Sequence, residues 1–234
     1  MPGDQLDELC DEVAACRRCP RLVEWRETVA SQRRASFAAE DYWGRPLCGF
    51  GDRSARLIVV GLAPAAHGGN RTGRIFTGDR SGDWLWAALW RAGLASQPQS
   101  VGRHDGLRAE GAWVTAAVRC APPQNRPQPQ ERDNCLPYLE RELGMFPDAR
   151  VVLALGGFAY EACCRVLGVR PRPAFGHGAE VPLGEGRWLV CSYHPSQQNT
   201  FTGRLTEQML DGVICRAWQL SLPGTRGGGG PGNP

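Results

Sequence analysis

Four short apolar runs, Leu57 to Val60, Trp113 to Val118, Val151 to Leu155 and Trp188 to Ser192, constrain this chain more than any other feature. Each is too short for a helix and apolar enough to be buried on both faces, which is how strands of a parallel sheet read. Long connections with helical periodicity separate them, so successive strands can cross over and pair in parallel. The expected fold is α/β, a three-layer α/β/α sandwich around a central four-stranded, mainly parallel sheet. At 234 residues with 42% hydrophobic side chains, the chain suits one domain over residues 1–222. Residues 223–234 form a Gly/Pro tail with nothing to bury, expected to be disordered.

Helices fill the connections. Leu6, Leu9, Cys10 and Val13 share one face of a helix over Asp4 to Cys16, and Ser81 is placed to cap a helix over Trp84 to Arg91 that Gly93 stops. Gln130 to Leu143 reads as a helix despite Pro137, Tyr160 to Leu167 as another, and a last amphipathic helix starts at about Gly203. Residues 21–55 show no clean period and are expected to be short helix and irregular structure.

Three of the apolar runs empty into loops dense in polar and small residues. Leu57 to Val60 breaks into GLAPAAHGGNRTGRIFTGD, the second run into CAPPQNRPQP, and the fourth into YHPSQQN. Open α/β sheets hold their ligands in such loops, outside the carboxyl ends of the strands. The chain has no Lys, so all 27 basic residues are Arg, and residues 45–80 carry six Arg against two Asp. A basic loop of this kind suits an anionic partner or is a solvated basic face. A nucleotide-binding reading of residues 61–73 lacks the Lys and Ser/Thr ending of a phosphate-binding loop.

No apolar run reaches membrane-spanning length and the N-terminus is acidic, so a cytoplasmic location is expected. In that reducing compartment the ten Cys point to metal ligation or buried thiols before disulfides. Cys16 and Cys19 are spaced to grip one metal or cluster, and Cys120 with Cys135 is a candidate second pair. Zinc, an iron–sulfur cluster and a redox pair all remain open on spacing alone. Cys163 and Cys164 lie on a helix and are expected to be core thiols.

Taken together, the motifs at 61–79, CAPPQNRPQP at 120–129 and HPSQQNTFTGRLT at 194–206 closely resemble the type-5 uracil-DNA glycosylases, over about residues 9–220. That resemblance implies a monofunctional glycosylase that flips uracil and other damaged bases out of double-stranded DNA and hydrolyses the N-glycosidic bond, acting as a monomer. With no Lys, a lysine Schiff-base lyase step is excluded. It implies a 4Fe-4S cluster on Cys16, Cys19, Cys120 and Cys135. A non-catalytic DNA-binding or redox module on the same fold is the alternative.

The resemblance also assigns roles. Phe76 corresponds to the aromatic that stacks on the flipped base, and His194 to the histidine that hydrogen-bonds the base carbonyl as charge develops. Asn125 corresponds to the residue that holds the attacking water, with Asp79 a second polar contributor. Leu62-Ala63-Pro64-Ala65 offers no group able to polarise water, and Ala63, Pro64 and Ala65 are expected to line the pocket. Asn70 and His67 are placed in the same cleft, His67 either acting there or bracing the loop. Thr115 stands where uracil-specific sister enzymes carry an Asn, which implies a broader substrate range including hydroxymethyluracil, ethenocytosine and hypoxanthine. Arg71, Arg74 and Arg204 are expected on phosphates, and Gln197, Gln198 and Asn199 in the minor groove, where Phe201 either wedges or packs inward.

Overall fold

In the computed structural model, which describes residues 2–223, a single mixed sheet carries the fold. Its strands are β1 (Phe50–Gly51), β2 (Leu57–Gly61), β3 (Ala112–Ala116), β4 (Val151–Leu155), β5 (Glu180–Gly184) and β6 (Arg187–Ser192), in the order β1-β3-β2-β4-β6-β5. The four expected strands are the four central ones, and all pair in parallel. Two antiparallel edge strands that were not expected, β1 on β3 and β5 on β6, bring the sheet to six. β1 is two residues long and β5 buries only Val181, so neither leaves an apolar run in the sequence.

Strand alternation divides the core. Leu57, Val59, Val114, Leu153 and Val190 pack on one face, against Leu85, Trp86 and Leu89 of α4 (Arg80–Arg91) and Leu210, Ile214 and Ala217 of α8 (Glu207–Ser221). Ile58, Val60, Trp113, Val152 and Leu189 face the other way, onto α1 (Pro2–Ala14), α5 (Pro129–Gly144) and α6 (Gly157–Val166). Cys163, Cys164 and Cys191 are free thiols buried in this second core.

Several local expectations shift. Within the stretch expected to be short helix and irregular structure, the residues after Cys19 form a 13-residue helix, α2 (Pro20–Gln32), which buries Leu22, Arg26 and Val29 and so has too few apolar positions to show a period. Asp79, not Ser81, caps α4, accepting from Gly82 N at 2.9 Å. α8 starts at Glu207 behind the Thr206 cap, so Thr202, Gly203 and Arg204 precede it. α5 runs through Pro137. Cys10 and Cys48 form a disulfide, against the expectation of free or metal-bound thiols, because α1 packs its Cys10 face beside the segment that leads into β1. The expected disordered tail lies, apart from its first residue, outside the described residues. Among the described residues no helix is long and apolar enough to cross a membrane.

Candidate active site

The chain passes from β2 outward to β3 and then back across β2 to β4, which makes the carboxyl end of β2 a point where the direction of winding reverses. A cleft of about 490 Å³ opens there. The loop after β2 contributes Leu62, Ala63, Pro64 and Ala65 to it, and the approach to α4 contributes Phe76, Asp79 and Arg80. Asn125 and Arg126 line it from the loop after β3, and His194, Gln197 and Gln198 from the segment after β6.

Phe76 is placed by its neighbours. It holds a left-handed backbone with φ of +49°, uncommon for a bulky residue, while the Trp86 indole N–H donates to its carbonyl at 2.8 Å. A Cβ on Gly61 would lie 2.5 Å from its ring, so the glycine that ends β2 makes room for the aromatic. The ring stacks beside His194, with centroids 6.0 Å apart and planes inclined by 28°. Burial pushes the His194 imidazolium down to about 4, so the ring is neutral at physiological pH and has one N–H to donate. Its carbonyl accepts from Asn199 Nδ2 at 2.8 Å.

Asn125 sits on an exposed one-turn 3-10 helix (Pro123–Asn125), with φ of +55° both at Gln124 and at Asn125. Asn tolerates the left-handed region better than most residues, which fits a side chain presented at a turn. Asp79 lines the cleft while capping α4, and burial raises its pKa against the hydrogen bonds it accepts from the main chain of Gly82 and Ser81. A Cβ on Gly68 would lie 2.2 Å from Asp79 Oδ2, so this glycine too is present to admit a cleft residue.

This arrangement belongs to a known lineage of proteins. Residues 48–217 match the model of the uracil DNA glycosylase superfamily. The chain belongs to that superfamily. It is 54% identical over 217 residues to the type-5 uracil-DNA glycosylase of Mycobacterium tuberculosis, covering 92% of this chain and 81% of that protein. Against the type-5 uracil-DNA glycosylase of Thermus thermophilus it is 52% identical over 210 residues, covering 89% and 95% of the two chains. The type-4 enzyme of Thermotoga maritima is more distant, at 29% identity over 150 residues, or 63% of this chain and 68% of that protein.

Within this member of the uracil-DNA glycosylase superfamily, several expected site residues lie elsewhere. Thr115 is fully buried and donates to Glu142 Oε2 at 2.8 Å; it shares the strand parity of Trp113, so it faces α5 and not the cleft. Arg71 pairs with Glu40 and lies over the Phe37 ring at 4.0 Å, and Arg74 pairs with Asp105 at 2.5 Å. Both Arg are buried, and their ion pairs brace the loop. Asn70 is buried too, donating to Arg26 O at 3.2 Å, and His67 bonds the Tyr42 hydroxyl at 3.0 Å; neither lines the cleft. Asn199 braces His194, and Arg204 lies over the Tyr193 ring at 4.6 Å, lining a smaller neighbouring pocket. Gln197 to Phe201 form the short helix α7 (Gln197–Phe201), not a loop, with the Phe201 ring exposed.

Two cleft cations were missed. Arg80 stands next to the Asp79 cap, its guanidinium 4.3 Å from the Phe201 ring centroid, and Arg126 follows Asn125. Adjacency to the assigned residues was the available signal for both.

Cys16, Cys19, Cys120 and Cys135, from the α1–α2 turn, the loop after β3 and α5, line one small cavity. Among the described residues no three or more His, Cys, Asp or Glu side chains are disposed to hold a metal ion as they stand. Burial pushes the Cys120 thiol up to about 12 and the Cys135 thiol up to about 11. Arg26 opposes this at Cys120, where its Nη1 lies 3.1 Å from Sγ; Asn134 Nδ2 lies 3.3 Å from Cys19 Sγ, and Arg26 Nε is buried without a partner. A buried guanidinium aimed at sulfur fits a negatively charged group bound among the four cysteines.

Proposed function

We propose that this protein is a monofunctional DNA repair glycosylase that extrudes uracil and other deaminated or damaged bases from double-stranded DNA, hydrolyses the N-glycosidic bond and leaves an abasic site. The observation that carries this reading is the pairing of Phe76 with neutral His194 inside a cleft at the switch point of the sheet. Phe76 offers a face on which a flipped base stacks, and the His194 N–H a donor for its carbonyl oxygen. As the C1′–N bond breaks, its electron pair moves onto the base, and a fixed donor stabilises that charge where it accumulates. Asn125 orients the water whose oxygen bonds to C1′; an amide is too weak a base to generate hydroxide, so base departure leads and the water proton is lost afterwards. Arg80 and Arg126 hold phosphates flanking the extruded nucleotide.

The four cysteines hold a 4Fe-4S cluster in this reading. Four thiols from three segments of the chain line one cavity, and the buried Arg26 guanidinium that faces Cys120 Sγ supports an anionic group held among them. When bound, the cluster cross-links the α1–α2 turn and α5 to the loop that carries Asn125. A brown protein with absorbance near about 400 nm, lost in Cys135→Ser, is the expected sign.

The reading is tested by incubating purified protein with duplexes that each bear one damaged base, followed by alkaline strand scission. Cleavage at uracil and at further lesions is expected. Binding without any scission product would leave a non-catalytic module, and scission at uracil alone would remove the broad range.

A further inference from the structure

The Tyr193–His194 segment is held on both sides through its main chain. Asn199 Nδ2 takes the His194 carbonyl from the C-terminal side at 2.8 Å. From the N-terminal side, the N–H of Tyr193 donates to Nδ1 of His177 at 3.2 Å. The two imidazoles are thus linked through one residue, although Tyr193 lies 16 positions after His177 in the chain.

The contact is specific. A ring nitrogen that accepts from a peptide N–H carries no proton, so His177 is neutral with its proton on Nε2. The Ser192 hydroxyl lies 3.4 Å from the same Nδ1, and the main chain of Met209 in α8 is a further polar neighbour of the ring. The His177 ring packs on that of Tyr193 at 5.2 Å, and Arg204 lies 4.6 Å from the same Tyr193 ring. The turn that bears His177 is itself bound to β6. Gly178, at φ +75°, donates to Cys191 O at 2.8 Å, and Cys191 N donates back to Ala179 O at 2.9 Å. His177 is therefore fixed to the strand from which the His194 segment departs.

We propose that His177 is a positioning residue for base excision: its unprotonated Nδ1, taking the Tyr193 N–H, and the Asn199 amide, on the His194 carbonyl, grip the main chain on either side of the Tyr193–His194 peptide and so aim the His194 ring alongside Phe76. This rests on the role given to His194 above. A residue needed only for packing would require the shape of the imidazole, not an acceptor at Nδ1.

Single-turnover excision of uracil from a duplex, with enzyme in excess, tests it. Product from the wild type first establishes the glycosylase reading; an inactive wild type sinks that reading and not the geometry of the clamp. Given an active wild type, His177→Ala is expected to slow excision about tenfold or more, as small misplacements of reacting groups do, with DNA affinity changed by less than about twofold. His177→Asn, whose Oδ1 falls near the place of Nδ1, restores most of the rate, whereas His177→Gln, whose amide reaches toward Nε2, does not. In a His194→Ala background, His177→Ala has no further effect beyond about twofold. Equal losses in both backgrounds, equal rates for the Asn and Gln variants, or an unimpaired His177→Ala overturn the proposal. The Asn and Gln comparison stands even if His177→Ala does not fold.

Discussion

The rings of Phe76 and His194 lie 6.0 Å apart with planes inclined by 28°, one presenting an aromatic face and the other a neutral hydrogen-bond donor to the same cleft. Phe76 comes from the approach to α4, beside the end of β2, and His194 from the segment after β6, two strands away in the sheet. Nothing local holds Phe76 in place. Gly61, at the end of β2, admits its ring, and Trp86 holds its carbonyl.

Gly61→Ala is expected to disable excision without removing a polar group. The new methyl would stand 2.5 Å from the Phe76 ring, closer than any carbon contact allows, so the ring must move. Single-turnover excision should fall by about tenfold or more while far-UV circular dichroism is retained. Wild-type rates in this variant would show that Phe76 is not the stacking surface.

Asn125→Ala is expected to slow single-turnover excision about 100-fold, the scale of a lost water-positioning contact, with DNA affinity little changed because the residue lies on an exposed turn. A rate equal to the wild type removes Asn125 from the reaction.

Arg126→Ala should act on binding and not on the chemical step. If its guanidinium meets one phosphate, the slope of log affinity against log salt becomes shallower by about 1. An unchanged slope places Arg126 away from the DNA backbone.

Glu142 is buried beneath β3, where its carboxylate takes Arg119 Nη2 at 2.5 Å, Trp113 Nε1 at 3.0 Å and Thr115 Oγ1 at 2.8 Å. Removing one member of a buried pair strands the other, so Glu142→Ala should cost about 3–5 kcal/mol in urea unfolding. A loss below about 1 kcal/mol would show that water or a neighbour compensates for the missing carboxylate.

Acid should destabilise the fold through His194. Its pKa falls from 6.5 to about 4 on folding because burial disfavours the charged ring, so the native state binds fewer protons than the unfolded chain between those values. The stabilisation is present above 6.5 and is lost as pH falls toward about 4. Burial shifts His67 and His177 in the same direction, so His194→Asn should flatten this dependence without abolishing it. Urea unfolding near neutral pH and near pH 5 measures it, and an equal slope in the variant would contradict the assignment.

Much of the fold could be read from the chain. Runs of four to six apolar residues separated by long connections allow little besides a parallel sheet with helices on both faces, and those four strands are the centre of the structure. The edge strands β1 and β5 escaped because one is too short and the other too solvated to leave a hydrophobic signature. α2 escaped because one of its three buried positions is Arg26, whose partners are a carbonyl and a sulfur from other segments.

The cleft was legible in outline: polar loops after β2, β3 and β6 mark where an α/β sheet holds its ligand, the family resemblance singled out Phe76, Asn125 and His194 within them, and the fold brings the three to one cleft. Polarity alone could not say which loop residues face outward. Arg71, Arg74 and Asn70 look in sequence like Arg80 and Arg126, yet partners such as Glu40, Asp105 and the Arg26 carbonyl draw the first three into the interior. Thr115 faces α5 through strand parity and the position of Glu142, and His177 reaches Tyr193 only because β5 and β6 fold its turn back onto the sheet. Sequence determined which strands form and which loops carry the chemistry, since hydrophobic period and turn residues act locally. Only the tertiary structure decided which polar side chains stay free for a substrate, because a charge or amide is used up by whichever partner the folded chain sets beside it.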